Sequence, residues 1–517
     1  MDFKKLKKLL QEKRFVFISR LHKDYQSATI FLVGGAVRDL MLNLPIPPSD
    51  LDFVVEGIKR DELEKFLEKN GIVKDVESRA FGVFIFVPKQ QAAESFDIAL
   101  PRDEHWIGKG YKDIEVNYKG LTLVEDLSRR DFTINAMAIG LKTYKLIDEF
   151  GGQKDLKNKI IRTVGNPIDR FQEDPSRILR GIRFAVQLGF GIEKKTFLGM
   201  KNKLVEITKP LENDISKKRV AEEIIAKEFL KAFDKDPVKT LKLYDQVGLL
   251  KLLMPGVKAM QEVEQPKNFH SEGDVYEHTL LALEKLSSCC HSVLDTESID
   301  SGSESGMTEC REASINLKLA TLFHDIGKPA TFTPPKDKND RIHFNEHDEK
   351  GAEIVGQIID RLKLNSLTKD GPLHVDREVV VWLVRKHMIL VTAKPEEMRL
   401  TTFEKYFFRE DGAGDDLLRL SYADISATIP PGGLPDFSVY NNFVKKIDEV
   451  REAVHSAKKE RTLPSPLING NEVMKALKIK SGPKVGKVLA QIREQQLSGK
   501  LKTKKEALLF LSKYRQN

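Results

Sequence analysis

Val33-Gly34-Gly35-Ala36-Val37-Arg38-Asp39, followed ten residues later by Asp50-Leu51-Asp52-Phe53-Val54-Val55, decides how the first part of the chain folds. Ile30-Phe31-Leu32-Val33 reads as a strand, the glycine pair as a turn, and Ala36 onward as the opening of a helix. Two glycines at a strand-to-helix turn let a phosphate approach backbone amides and the helix N-terminus. The next strand alternates with a period of two, so Asp50 and Asp52 share one face while Leu51 and Phe53 take the other. Two carboxylates on one face repel, and a hard divalent cation such as Mg²⁺, which takes oxygen ligands from carboxylates and phosphates, relieves that repulsion.

Outward from this pair, β-rich runs alternate with helical stretches from about Thr29 to Ile147: Val83 to Val87 and Phe96 to Leu100 read as strands, and Arg60 to Lys69 as a helix. Asp97, on the second of these strands, is a candidate third carboxylate. After Gly151-Gly152 helical periodicity takes over, over Asp174 to Leu188, Lys218 to Phe233 and Val238 to Leu253. The class is therefore α+β, with a mixed-sheet head followed by helical domains. The expected divisions are a head over 1–150, a helical neck over 151–260, a further helical domain over 261–430 and a basic helical tail over 431–517. Residues 287–314, polar and rich in Ser, read as a flexible insertion within the third of these.

Length and composition set limits. The chain has 517 residues, about three to four domains' worth at roughly 150 residues each. Apolar residues make up 40% and charged residues 31%, as in globular proteins rather than disordered ones. Apolar runs are too short to cross a bilayer, which argues against a membrane partner. Eighty-five Lys and Arg against 77 Asp and Glu leave a net charge of +8, which permits a polyanionic partner without demanding one. Cys289, Cys290 and Cys310 are too few and too clustered for a disulfide framework, and they fit a reducing, cytoplasmic setting.

A second group of residues has the makings of a base reader. Glu173-Asp174-Pro175-Ser176-Arg177 opens a helix, with Asp174 expected at the N-cap and Pro175 at the first helical position. Arg177, Arg180 and Arg183 recur at steps of three and form a slowly drifting stripe. A carboxylate only accepts hydrogen bonds and a guanidinium only donates them. Cytosine and adenine each offer an amino donor beside a ring-nitrogen acceptor; uracil and guanine offer an N–H beside a carbonyl. Asp174 and Arg177 together would accept C and A and reject U and G. Ser128-Arg129-Arg130-Asp131-Phe132-Thr133-Ile134-Asn135 places cations and hydrogen-bonding side chains ahead of what reads as a small-residue helix.

The order of glycine pair, Arg38 and the Asp50/Asp52 strand resembles the nucleotidyltransferase superfamily, specifically the bacterial-type tRNA CCA-adding enzymes and their poly(A) polymerase relatives. The resemblance implies Mg²⁺ at Asp50 and Asp52, nucleotide contacts from Gly35, Arg38, Arg130, Arg180 and Arg183, and a protein template in Asp174 and Arg177. It implies tRNA, CTP and ATP as partners and leaves protein partners unknown. Pro101 to Tyr111 looks like the flexible loop with which the family switches from C to A addition.

Farther along, His278, the adjacent pair His324-Asp325, then His347, His387 and Asp424 follow the order seen in the HD phosphohydrolase superfamily, which this stretch resembles. Imidazole with carboxylate suits a transition metal such as Ni²⁺ or Mn²⁺. In its fuller version the resemblance implies two metals. In one bacterial branch of CCA-adding enzymes such a domain is associated with 2′,3′-cyclic phosphodiesterase, 2′-nucleotidase and phosphatase activity. His270, His343 and His374 read as ordinary polar residues. Leu467 to Glu472, the turn Gly482-Pro483-Lys484-Val485-Gly486-Lys487, and Lys500, Lys502, Lys504 and Lys505 resemble the RNA-contacting tail of longer members. The readings left open are a poly(A) polymerase or A-adding enzyme, and an HD hydrolase whose head merely binds RNA.

Overall fold

The computed structural model describes residues 3–45, 51–74, 82–89, 94–106, 114–117, 120–211, 216–292, 312–338, 340–367, 371–409, 411–454 and 463–514. Asp50 lies outside them. The chain divides into two compact units, Met1–Leu252 and Leu253–Asn517.

The first unit is built on a sheet of β1 (Thr29–Val33), β2 (Asp52–Glu56), β3 (Gly71–Val73), β4 (Val83–Pro88), β5 (Phe96–Ala99), β8 (Ala138–Gly140) and β9 (Leu146–Ile147); β6 (Asp103–Trp106) and β7 (Ile114–Asn117) form a separate antiparallel pair. The strand order is β3-β4-β5-β2-β1-β8-β9, with β2 and β5 parallel and every other neighbour antiparallel. Period-two alternation sorts the faces. Ile30, Leu32, Phe53 and Val55 enter one core, where Phe15, Phe17, Phe86 and Phe96 pack ring against ring, with Phe17 and Phe86 centroids 5.0 Å apart. Phe31, Val33 and Val54 enter the other, with Leu123, Leu127 and Ala136. Asp52 therefore stands on the face of Val54.

Two expectations are corrected here. Ala136-Met137-Ala138 leads into a strand and not a small-residue helix, because β1 offers an edge that Ala138–Gly140 completes, Val33 pairing with Ala138. The stretch expected as a flexible loop over 101–111 begins as a paired strand, with Asp103 opposite Asn117 and Trp106 opposite Ile114; residues 107–113 lie outside those described.

Helices Pro167–Glu173, Ser176–Gln187, Glu222–Lys235 and Pro237–Val247 complete the first unit. In the second, helices Val275–Ser292, Ile315–Phe323, His347–Leu362, Arg377–Lys386 and Ala413–Ala427 pack together, followed by Ser438–Val454 and a small C-terminal bundle around Val473, Val488, Ile492, Ala507 and Leu511. The helix from Val275 runs on to Ser292, into the segment expected to be a flexible insertion, and Ser314 at its far end caps the next helix through the Leu317 amide. Residues 293–311 lie outside those described. Among the described residues no helix is long and apolar enough to cross a membrane.

Candidate active sites

At the end of β1, Gly34 has φ +76° and ψ −137°, a conformation that side chains rarely adopt. A Cβ there would lie 2.8 Å from Arg130 Nη1 and 3.8 Å from Asp52 Oδ2. The absence of a side chain thus lets a guanidinium, a carboxylate and a helix N-terminus converge. Asp52 pairs with Val33 on one side and, in parallel register, with Asp97 on the other, so both carboxylates face the same way. The sheet behind Asp97 desolvates it enough to raise its carboxyl above the ordinary range, against the pull of Arg102, although its outer edge is exposed. Hard oxygen donors side by side suit Mg²⁺.

Arg130 is aimed by Asp126, which is fully buried: Asp126 Oδ2 accepts from Arg130 Nη2 at 3.3 Å, and Oδ1 from Arg129 Nη2 at 2.6 Å. Burial alone would raise the Asp126 carboxyl, but Arg129 and Arg130 hold it below the usual range. Arg130 Nε is buried without a hydrogen-bond partner, a donor left over for something else. Arg38 is set by a fork to Asp39, at 2.8 and 2.9 Å, and donates to Asn135 Oδ1 at 2.9 Å. Asn135 in turn donates to Asp131 Oδ1 at 3.2 Å, and Asp131 Oδ2 accepts from Arg180 Nη2 at 2.6 Å. Burial would push Asp131 up; Arg180, Asn135 and the Phe132 amide hold it down.

The helix Ser176–Gln187 starts one residue later than expected, after Pro175. Asp174 nevertheless caps it, its Oδ1 accepting from the Ser176 amide at 2.9 Å. Its Oδ2 lies 4.0 Å from Arg177 Nε; the Asp174 side chain is 39% exposed and that of Arg177 14%, so the acceptor is open and the donor beside it is largely covered. Arg177 is held by Glu173 Oε2 at 3.0 Å and the Arg129 carbonyl at 3.1 Å. Arg38, Arg180 and Arg183 gather around the ring of Phe184, at 5.2, 5.7 and 4.1 Å. Arg183 is paired with buried Glu228 on helix Glu222–Lys235 and with Gln187 at 2.8 Å. Asp126, Asn135, Phe184 and Glu228 were not singled out from sequence; only the packed structure shows that they hold the arginines.

In the second unit, His278, His324, Asp325, His347, His387 and Asp424 converge although they come from five helices or their ends. His324, His347 and His387 are oriented by one repeated device. Each donates Nδ1–H to the carbonyl three residues earlier, Thr321, Phe344 and Val384, at 2.7 to 2.8 Å. That fixes the tautomer and points Nε2 inward. The Nε2 atoms of His347 and His387 then stand 3.2 Å apart, two lone pairs face to face, and His324 Nε2 is buried without a hydrogen-bond partner. A cation satisfies all three. His278 reaches Asp424 Oδ1 at 3.0 Å, and Asp325 presents Oδ2 toward His324 at 3.3 Å and Oδ1 toward His347 at 3.5 Å.

Ligand sets within metal-binding reach form on both sides of Asp325: His278 and His324 on one, His347 and His387 on the other. Burial alone would depress His324, but Asp325 and Asp424 push it up to about 10, while burial and its two histidine neighbours push His387 down to about 4. Glu272, missed in the sequence, accepts from His278 Nδ1 at 2.8 Å and contacts His270 Nδ1 at 2.6 Å. His270 thus belongs to this network rather than standing apart as an ordinary polar residue.

Comparison with known proteins agrees with this arrangement. Residues 30–162 match the poly A polymerase head domain, 275–422 the HD domain and 446–511 the tRNA nucleotidyltransferase domain 2. An A-adding tRNA nucleotidyltransferase of Deinococcus radiodurans is 31% identical over 76% of this chain and 79% of its own. A multifunctional CCA protein of Neisseria gonorrhoeae is 35% identical over 64% of this chain and 69% of its own. Among solved structures, an apo CCA-adding enzyme superimposes with a TM-score of 0.60 at 21% identity, covering 99% of this chain and 98% of that one. A Bacillus stearothermophilus CCA-adding enzyme in complex with CTP does so at 0.56 and 19%, covering 98% of each. With three of its domains matched in order and a relative covered over most of its length, the chain belongs to the tRNA nucleotidyltransferase and poly(A) polymerase family and is a nucleotidyltransferase carrying an HD domain.

Proposed function

We propose that the enzyme adds C, C and A to tRNA 3′ ends from CTP and ATP without a nucleic-acid template, and that its HD domain hydrolyses phosphate esters. The observation that carries the first part is the adjacency of Asp174 and Arg177: one oxygen of the half-exposed Asp174 is used as a cap, and the other stands beside the Arg177 guanidinium. The carboxylate accepts the amino hydrogen of C or A and the guanidinium donates to the ring nitrogen; U and G present the wrong polarity to both. Arg130 and Arg38 reach the phosphates from either side of the Gly34-Gly35 turn, and Arg180, locked to Asp131, keeps the pocket wall in place. Asp50, Asp52 and Asp97 would hold Mg²⁺, which supplies charge neutralisation at the attacking hydroxyl and the departing pyrophosphate.

For the second part, His278, His324, Asp325 and Asp424, with His347 and His387, would hold one or two transition-metal ions such as Ni²⁺ or Mn²⁺, which lower the pKa of a bound water. The chain's own share is orientation: three carbonyl-anchored imidazoles and a carboxylate set between two ligand groups. The two activities separate by mutation. Asp52→Ala is expected to abolish nucleotide addition and spare phosphate release, and Asp325→Ala to do the reverse; loss of both activities in either variant, or of neither, contradicts the assignment. The Deinococcus relative keeps an A-adding reading in view, and nucleotide choice decides it.

A further inference from the structure

Of the four imidazoles that meet in the second unit, His278 is held differently from the others. His324 and His387 directly follow helices Ile315–Phe323 and Arg377–Lys386, where a helix leaves carbonyls unpaired, and His347 opens helix His347–Leu362. Each finds a carbonyl three residues back for its Nδ1–H. His278 lies in the first turn of helix Val275–Ser292, and the carbonyl three residues before it, that of Val275, already accepts from Thr279 Oγ1 at 2.8 Å. Its Nδ1 turns instead to Glu272, whose Oε1 lies 2.8 Å away.

Glu272 is only 3% exposed at its side chain, and three donors converge on it. Oε1 accepts from His278 Nδ1 and from His270 Nδ1 at 2.6 Å, and Oε2 accepts from the Ile429 amide at 3.0 Å. The Ser271 amide donates to the Ile429 carbonyl at 2.7 Å, so the segment of Glu272 is clasped to the chain that leaves helix Ala413–Ala427. Asp424 sits in the last turn of that helix, and Thr428 bonds back to its carbonyl through both amide and hydroxyl at 3.0 Å. One carboxylate therefore sets His278 directly and Asp424 through its chain, and these two ligands meet with His278 Nε2 3.0 Å from Asp424 Oδ1.

Burial would raise the Glu272 carboxyl, but the bonds from His270 and His278 hold it down to about 2. It is thus an acceptor only, which puts the His278 proton on Nδ1 and leaves Nε2 for a cation. A carboxylate behind a ligating imidazole fixes its tautomer and ring orientation and makes it a stronger donor.

We propose that Glu272 is the positioning residue for one half of this site, fixing His278 and Asp424 as a pair and so setting the affinity for the ion on their side of Asp325. This rests on the metal-binding reading of the second unit given above.

The test is calorimetric titration of the full-length chain with Ni²⁺, using Asp52→Ala as the parent so that a ligand of the head's own metal is removed. Glu272→Ala should weaken Ni²⁺ binding roughly 10–100-fold, the usual effect of losing such a partner. Glu272→Gln, which keeps an oxygen for the His278 Nδ1–H but loses the charge, should bind more tightly than Glu272→Ala. At saturating Ni²⁺ both should reach the stoichiometry of the parent, which a misfolded second unit would not. His270→Ala removes the other imidazole on the carboxylate and spares the bond to His278, so its affinity should match that of the parent. Unchanged affinity in Glu272→Ala, an equal fall in His270→Ala, Glu272→Gln no tighter than Glu272→Ala, or a lowered stoichiometry in both Glu272 variants overturns the proposal and leaves the metal reading intact. A parent chain that binds no Ni²⁺ overturns both.

Discussion

Replacing Gly34 with Ala tests the head's geometry at one atom. The residue sits at φ +76° and ψ −137°, outside the regions open to L side chains, so Ala there is strained whatever space surrounds it. That strain amounts to about 1–3 kcal/mol. The added Cβ would also lie 2.8 Å from Arg130 Nη1. A guanidinium tip can swing away, so the contact adds little to the loss of stability; its consequence is displacement of Arg130 from the Asn135 carbonyl and Asp126. Gly151 is the matched control: its φ is also +76°, but a Cβ there meets nothing within 4 Å. Chemical denaturation should show both variants destabilised, Gly34→Ala by about 1–3 kcal/mol and Gly151→Ala by about 1–2 kcal/mol. Single-turnover incorporation should fall at least tenfold in Gly34→Ala, for CTP and ATP alike, if Arg130 serves the phosphates and not the base, as proposed. It should be unchanged in Gly151→Ala. Wild-type incorporation by Gly34→Ala, or an effect on only one nucleotide, would refute the convergence of Arg130 and Asp52 on a phosphate at this turn.

Two further expectations concern stability. Asp131 is held below its ordinary pKa by Arg180, so the stability it contributes is present above the unfolded value of 3.8 and drains away as pH falls through the lower folded value. Acid titration of unfolding should therefore be shallower below about pH 4 in Asp131→Asn than in wild type, and equal slopes would contradict the assigned pairing. In the tail, Glu494 caps the start of helix Leu400–Phe407 from outside, accepting from the Leu400 and Thr401 amides at 2.7 and 3.0 Å. Glu494→Ala should cost about 1–2 kcal/mol, as loss of an N-cap does, and expose the tail to limited proteolysis; unchanged protease resistance would show that the cap does not hold the tail.

The parts of the fold read correctly from sequence are those specified locally. The glycine pair, the alternating strand through Asp52 and the opening of the helix after Asp174 each carry their own turn, period or cap. The parts misread depend on partners far away in sequence. Ala136-Met137-Ala138 has helix-forming residues but completes a sheet edge offered by Phe31 to Val33, about a hundred residues upstream. Phe184 follows the apolar stripe of its helix and is core, as that stripe implies, but only the folded chain shows Arg38, Arg180 and Arg183 collecting around its ring. Glu272 has no motif of its own; it becomes visible only when the chain folds it beside His278 and His270. The ligand order His278, His324-Asp325, His347, His387, Asp424 is legible in sequence, but the anchoring of three imidazoles to carbonyls three residues back requires the helix ends themselves.

The most direct measurement is incorporation into a tRNA ending at its discriminator base, with Mg²⁺ and CTP, ATP, UTP or GTP offered singly and in pairs, by the wild-type chain and by Asp174→Asn. The account predicts two C additions with CTP, one further A when ATP is present, and rejection of UTP and GTP. In Asp174→Asn, whose amide both donates and accepts, discrimination against UTP should weaken at least tenfold. Addition of A alone to an acceptor already ending in CC, long A tails, or unchanged selectivity in the variant would contradict it.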